Sequence, residues 1–245
     1  MMKLRSSRLT VAVLAAATVI LAAGGAAIGS NMGFKFNKPL TRVGDAPGSQ
    51  TGKNWTSIPY NNPYGTINGF CTQVGLTSTG LTRTSVTFDN YDAAHPGFVS
   101  ATCGSTTPAS FNGTFPLKPG LGVEIRQPTN TAAFATSIII VGSHNTGQAI
   151  TVPIATGGRV GETDFAVPYH TTATRMLDIC TMAGLTSTGL KRATLTQLNP
   201  GGAGVAAAFE NASCGTTTPN PNLRLGEFVR IKDPVAAHTF VPAHF

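Results

Sequence analysis

The chain has 245 residues, a formal net charge of +7, only 11% charged residues and 28 glycines. Its basic residues are scattered, with no run longer than Lys191-Arg192, which excludes the phosphate-tracking stripe of a nucleic-acid binder. The low charge and the abundance of Thr, Ser, Asn and Gly suit β-strands joined by tight turns, a composition of extracellular β-proteins more than of cytosolic enzymes.

Lys3, Arg5 and Arg8 precede an apolar run from Leu9 to Ile28, and Ala27-Ile28-Gly29 offers a small-x-small cleavage site. Residues 1–30 therefore read as a secretory signal peptide. The rival reading is an uncleaved anchor, because such a run can just span a bilayer, but it is rich in alanine, which inserts less readily than leucine. No cysteine lies near the site and no second apolar segment reaches spanning length. Without residues 1–30 the chain carries 14 basic against 10 acidic residues, a net +4.

An opening strand over Phe34–Leu40 leads through a Gly-rich linker to a short strand, Trp55–Tyr60. A helix is expected next, weakened by Gly65 and Gly69. After a Thr-Ser-Thr-Gly turn come β-runs at Thr82–Phe88, Phe98–Thr102, Gly122–Gln127 and Thr136–Val141. The pattern then recurs: Ala149–Ile154, Phe165–Tyr169, a helix, Ala193–Leu198, Gly204–Glu210, Glu227–Lys232 and His238–Val241. For the second helix Thr172 is the expected N-cap. Met176, Leu177, Ile179, Cys180 and Ala183 form its apolar stripe, and Gly184 the stop.

Internal repetition organises the chain. Gly-Leu-Thr-Ser-Thr-Gly-Leu occurs at 75–81 and, unchanged, at 184–190. Pro59-Tyr60 matches Pro168-Tyr169, Cys71-Thr72 matches Cys180-Thr181, and Arg83 matches Arg192. Cys103-Gly104 matches Cys214-Gly215, and Leu117, Gly120, Val123 and Ile125 match Leu223, Gly226, Val229 and Ile231. The expected organisation is a signal peptide (1–30) and two tandem β-rich modules (31–144 and 145–245). The fold class is mostly β (α+β), sandwich-like, with one short helix and one disulfide per module. Four cysteines allow three pairings. A link that must serve both copies favours Cys71–Cys103 and Cys180–Cys214, permitted by export.

Asn54-Trp55-Thr56-Ser57-Ile58-Pro59-Tyr60 resembles the N-W-x-S-[IL]-P-Y opening of a repeat in uncharacterised secreted bacterial proteins. Pro119-Gly-Leu-Gly-Val-Glu-Ile125 and Ile138-Ile-Ile-Val-Gly-Ser-His144 resemble its later strands. More distantly the chain looks like the G-W-N-[LI]-[VI]-S-[LI]-P modules of microbial surface proteins. The second copy departs from the pattern, with Phe165-Ala-Val-Pro168 in place of Trp-x-Ser-Ile-Pro. The resemblance implies a secreted or surface setting and carries no activity onto any residue.

Chemistry-bearing motifs are sparse. No G-x-S-x-G elbow, H-E-x-x-H pair or phosphate cradle is present, so no catalytic residue, metal ligand or cofactor is expected. His144 and His244 are equivalent by repeat and read as strand-end residues; His95, His170 and His238 have no counterparts. Asp89-Asn90-Tyr91-Asp92 could offer oxygens to calcium but lacks an EF-hand's glycine and distal Glu, and reads as a solvated hairpin loop. Trp55, Asn61, Asn62 and Tyr64 are the candidate ligand-binding residues, because rings flanked by amides suit a sugar surface. Tyr60, which recurs as Tyr169, reads as core. The expected function is non-enzymatic, structural or adhesive, outside the cell or in its envelope. Partners would be an extracellular protein or glycan, with self-association through strand edges, no nucleic acid and no membrane span after signal removal. The alternatives are a carbohydrate-binding module or a secreted hydrolase with an unrecognised site.

Overall fold

The computed structural model describes residues 33–45, 50, 52–89, 91–92, 94–107, 111–129, 131–143, 145, 147–201 and 206–243. Residues 1–30, assigned to the signal peptide, lie outside them, as do His144 and His244. The fold is mostly β, and both disulfides join the expected partners: Cys71–Cys103 and Cys180–Cys214, with Cα atoms 5.8 and 5.6 Å apart.

The strands are β1 (Gly33–Pro39), β2 (Lys53–Ser57), β3 (Ser85–Asp89), β4 (Phe98–Thr102), β5 (Gly122–Arg126) and β6 (Ser137–Ser143). They continue with β7 (Ile150–Val152), β8 (Thr163–Ala166), β9 (Thr194–Asn199), β10 (Ala208–Ser213), β11 (Phe228–Lys232) and β12 (His238–Phe240). Two helices, α1 (Ile67–Gln73) and α2 (Met176–Met182), follow β2 and β8. One four-stranded antiparallel sheet has the order β2-β5-β3-β4, and the other β8-β11-β9-β10. Two antiparallel ribbons, β1-β6 and β7-β12, complete the topology. The two sheets thus share one strand order under the correspondence the repeat predicts.

Local chemistry explains the helices and corrects two expectations. Thr66 caps α1 by accepting a 3.0 Å bond from Gly69 N–H, and Gly69 is required within it, since a Cβ there would lie 2.0 Å from the Tyr64 carbonyl oxygen. The N-cap of α2 is Arg175, not Thr172. The Asp178 carboxylate accepts the orphan N–H groups of Thr174 and Arg175, each at 2.8 Å, so an acidic residue in the first turn replaces a hydroxyl cap. Gly184 ends α2 at φ +62°, and Leu185 N–H bonds back to the Cys180 carbonyl. The strand expected at Gly204–Glu210 begins later, at Ala208.

Period-2 alternation sends each strand's residues to two different interiors. Val86, Phe88, Val123 and Ile125 face inward with Ile67, Phe70 and Cys71 of α1 and Ile138 and Ile140 of β6. Phe165, Leu195, Val229 and Ile231 do the same with Met176 and Ile179 of α2 and Val152 of β7. The opposite faces of the sheets meet each other, β2, β3 and β5 against β8 and β11. Two backbone hydrogen bonds at repeat-equivalent positions join the halves: Ser57 N–H to Gly226 O (3.0 Å) and Ala166 N–H to Gly120 O (3.1 Å). Tyr60 reaches across, its hydroxyl donating to Ala166 O at 3.1 Å. Tyr169, expected as core, is half-exposed instead and stacks on Phe34 at 5.4 Å.

Candidate functional site

The densest charge in the described structure lies between the two sheets, on faces that alternation alone assigns to solvent. Trp55 of β2 is fully buried and stacks on Phe228 of β11, with ring centroids 4.2 Å apart and planes 13° from parallel. Its indole N–H donates to Glu124 Oε2 at 3.0 Å, and the Arg230 guanidinium lies 4.7 Å from its ring centroid, a cation–π contact in a desolvated setting. Gly122 stands where the repeat places Phe228 in the other sheet. A Cβ on Gly122 would be 2.1 Å from Phe228 Cγ, so of these two equivalent positions only one can carry a side chain.

Arg230 forms a fork with Asp164, Nε to Oδ1 at 2.8 Å and Nη2 to Oδ2 at 3.1 Å, and also pairs with Asp89 at the end of β3. Arg159 donates to the same Asp89 oxygen, Oδ2. Glu162 approaches Arg230 Nε at 3.6 Å and Lys232 Nζ at 3.5 Å. Asp89 of the first half thus joins a cluster whose other members, Asp164, Glu162, Arg159, Arg230 and Lys232, all belong to the second. Burial, then the charge of Asp164, pushes the Asp89 carboxyl up to about 8 despite both guanidinium groups. Its Oδ1 is buried without a hydrogen-bond partner, which itself disfavours the ionised form. Arg230 is buried too, but Asp164, Asp89 and Glu162 more than offset that and hold it even more firmly protonated than usual. At a second point of the same contact, Lys38 pairs with Glu227 at 2.6 Å. Burial raises Glu227 above the usual carboxylate range and Lys38 only partly opposes it.

Asp89 also borders a cleft of about 530 Å³ between the halves, walled by Asp92, Lys118, Leu121, Thr151 and Val160 among others. Lys118 is tethered there, donating to the Tyr91 carbonyl and lying 4.5 Å from the Tyr91 ring centroid. No known protein family, curated protein or solved structure matches this chain. Function has to be argued from this geometry.

The four candidate ligand-binding residues do not form an exposed platform. Trp55 is covered by Phe228 and Arg230, and Tyr64 is buried, its hydroxyl accepting Val141 N–H at 2.8 Å. Asn62 is engaged in its own turn, accepting from Tyr64 N–H and donating to Pro59 O. Asn61 is exposed but pairs its backbone with Ser143. Asn61 continues the line of β2 to the β1-β6 ribbon, while the face of β2 that carries Trp55 is covered by the second sheet. Within Asp89-Asn90-Tyr91-Asp92, expected as a solvated loop, Asp89 and Tyr91 are buried instead.

Two histidines meet carboxylates. His95 Nδ1 lies 2.7 Å from Asp92 Oδ1, and the same oxygen accepts the N–H groups of Ala94 and His95, so the ring is clipped within its own four-residue turn. Burial opposes ionisation of Asp92, but these bonds hold it below the usual range. His238 Nε2 lies 2.8 Å from Asp233 Oδ2, and Asp233 also accepts Thr186, Val235 and Ala236 N–H groups. Both arrangements tie loops together. Among the described residues no three His, Cys, Asp or Glu side chains group as metal ligands.

Sequence reasoning missed Arg159, Asp164 and Arg230, and read Asp89 only as part of a solvated loop. In Phe228-Val-Arg-Ile-Lys232, Val229 and Ile231 alternate with Arg230, the pattern of a strand half in solvent. The available signal was scarcity: with so few charges in the chain, several on central strands had to answer one another.

Proposed function

We propose that this chain is exported and acts outside the cytoplasm as a non-enzymatic, tandem-module protein that presents a stable surface for adhesion or assembly. The two units are one duplicated β-rich module, residues 31–144 and 145–245, docked face to face. Two disulfides and the absence, among the described residues, of any helix long and apolar enough to cross a membrane are compatible with that setting. One observation carries the non-enzymatic reading. The strongest ionic cluster turns its donors and acceptors on one another, Arg230 on Asp164 within the second half and Arg159 and Arg230 on Asp89 of the first, even where Asp89 borders the cleft. Catalytic groups need a reacting atom between them, and here protein side chains fill that place.

The test is to express the full chain with its leader, fractionate the cells and map peptides without reduction. Recovery outside the cytoplasm with both disulfides formed supports the reading. Cytoplasmic recovery with free thiols overturns it. The adhesive part is tested by light scattering for self-association and by binding to cells, matrix and glycans. A strictly monomeric protein that binds none of them ends it. Glycan binding as the principal role is favoured only by the inter-half cleft, whose wall carries Asp92 and Thr151. A blank glycan array removes that alternative.

A further inference from the structure

The heptapeptide kept unchanged in both halves contains residues that the fold does not need. Five of its seven positions have structural reasons. Gly75 and Gly184 follow the helices at φ +76° and +62°, and Gly80 and Gly189 both sit at φ +85°. Leu76 and Leu185 are buried. The Thr77 and Thr186 carbonyls accept Thr84 and Ala193 N–H at 3.0 and 2.8 Å. Ser78 and Ser187 press on Gly104 and Gly215, where a Cβ would lie 2.1 and 1.8 Å from their carbonyl oxygens. Thr79 and Thr188 are exposed. The leucines that close the motif, Leu81 and Leu190, are 106% and 107% exposed, as open as a side chain can be. A leucine in water contributes nothing to folding stability. Its presence at both tips, while the halves differ at Trp55 against Asp164 and Gly122 against Phe228, points to something outside the chain.

The surroundings say what kind of surface. Arg83 follows Leu81, and Lys191-Arg192 follows Leu190. No Asp or Glu occurs from 46 to 88 or from 179 to 209, nor in 93–123 and 211–226, which supply the Cys-Gly turns under the loops. Among the described residues, the carboxylate that touches the second loop's base, Asp233 on Thr186 N–H, is buried. Arg83 and Arg192 brace the tips by donating to the Cys103 and Gly215 carbonyls, so each leucine stands on a loop held to the disulfide.

We propose that loops 79–83 and 188–192 are insertion tips for an anionic phospholipid bilayer. Leu81 and Leu190 enter the boundary between headgroups and acyl chains, the exposed Lys191 faces the lipid phosphates, and Arg83 and Arg192 add positive charge at the base of the tips they brace. This names the partner of the extracytoplasmic protein proposed above and rests on that reading.

The oxidised protein is floated with phosphatidylglycerol-containing vesicles and with phosphatidylcholine vesicles. Binding to the anionic vesicles, weakened by salt, is expected. Leu81→Ser and Leu190→Ser each lower it by about tenfold, the worth of half-burying a leucine side chain, with an unchanged melting temperature because both side chains are exposed. Arg83→Gln with Lys191→Gln flattens the salt dependence. Failure of the wild-type protein to bind any vesicle overturns the proposal, as does wild-type binding by the double leucine variant. If vesicles are ignored but the leucine variants lose self-association or glycan capture, the lipid assignment falls and the adhesive reading stands. Cytoplasmic recovery in the fractionation above strikes that reading separately.

Discussion

Replacing Phe228 with alanine tests whether the two sheets are held together as described. The ring is fully buried and stacks 4.2 Å from Trp55, and truncating such a side chain costs about 3–5 kcal/mol. For a protein of this size that lowers the melting temperature by on the order of 10 °C. Trp55 is the only tryptophan, so the fluorescence reports the surroundings of this one ring between the sheets. The wild-type emission should be that of a buried indole. In the Phe228→Ala variant it should shift to the red at a lower denaturant concentration than far-ultraviolet dichroism reports loss of the strands. A coupled variant sharpens the test. Gly122→Ala places a Cβ 2.1 Å from Phe228 Cγ and is destabilising alone, yet should be nearly neutral on the Phe228→Ala background. Additive effects of the two substitutions, or native wild-type fluorescence already typical of exposed tryptophan, would refute the face-to-face packing.

Other expectations follow from the buried charges and crosslinks. Asp89 has a folded-state pKa raised to about 8, above its unfolded value, so the folded state holds its proton more tightly. Its contribution to stability is greatest below about pH 4 and declines as pH rises to about 8. Melting curves of wild type and Asp89→Asn should therefore diverge over that window, with the wild type losing ground towards alkaline pH; parallel profiles would contradict it. Lys38→Met strands the buried Glu227 carboxylate and should cost about 3–5 kcal/mol, most of it recovered when Glu227→Leu is added, as denaturant titration of the three variants will show. The disulfides close loops of nearly equal separation, 32 and 34 residues. Removing either pair by Cys→Ala should cost about 3–4 kcal/mol, and calorimetry giving very unequal losses would count against equivalent roles.

The β-rich fold and the disulfide pairing could be read from the chain, because alternation and cysteine spacing act locally and the repeat supplied the remaining constraint. Ends of elements were less legible. Asp178 takes the helix-start role that Thr172 offered, since a carboxylate in the first turn can satisfy the same N–H groups. The larger failure concerned the second face of each sheet. Trp55 looked like an exposed ring beside amides, and Arg230 like a solvated strand residue, because alternation distinguishes two faces without saying what covers the outer one. Only a contact between segments far apart in sequence, Trp55 on Phe228, turns that face into an interior.

That contact also bears on where function should be sought. Divergence between the copies was the natural place to look, yet much of it is a packing requirement. The backbone contacts across the interface are reciprocal, Ser57 to Gly226 and Ala166 to Gly120, which sets equivalent faces against each other. Identical side chains there would oppose ring to ring or like charge to like charge, as two copies of Phe228 or of Arg230 would do. The observed pairs, Gly122 with Phe228, Trp55 with Asp164 and Glu124 with Arg230, resolve that conflict: one ring fits the void left by glycine, and the position equivalent to Arg230 holds an acid, Glu124, instead of a second arginine. Difference at the interface is thus explained by folding alone. Identity at Leu81 and Leu190, two fully exposed side chains, is not explained in that way, and this is why the insertion proposal rests on the unchanged motif.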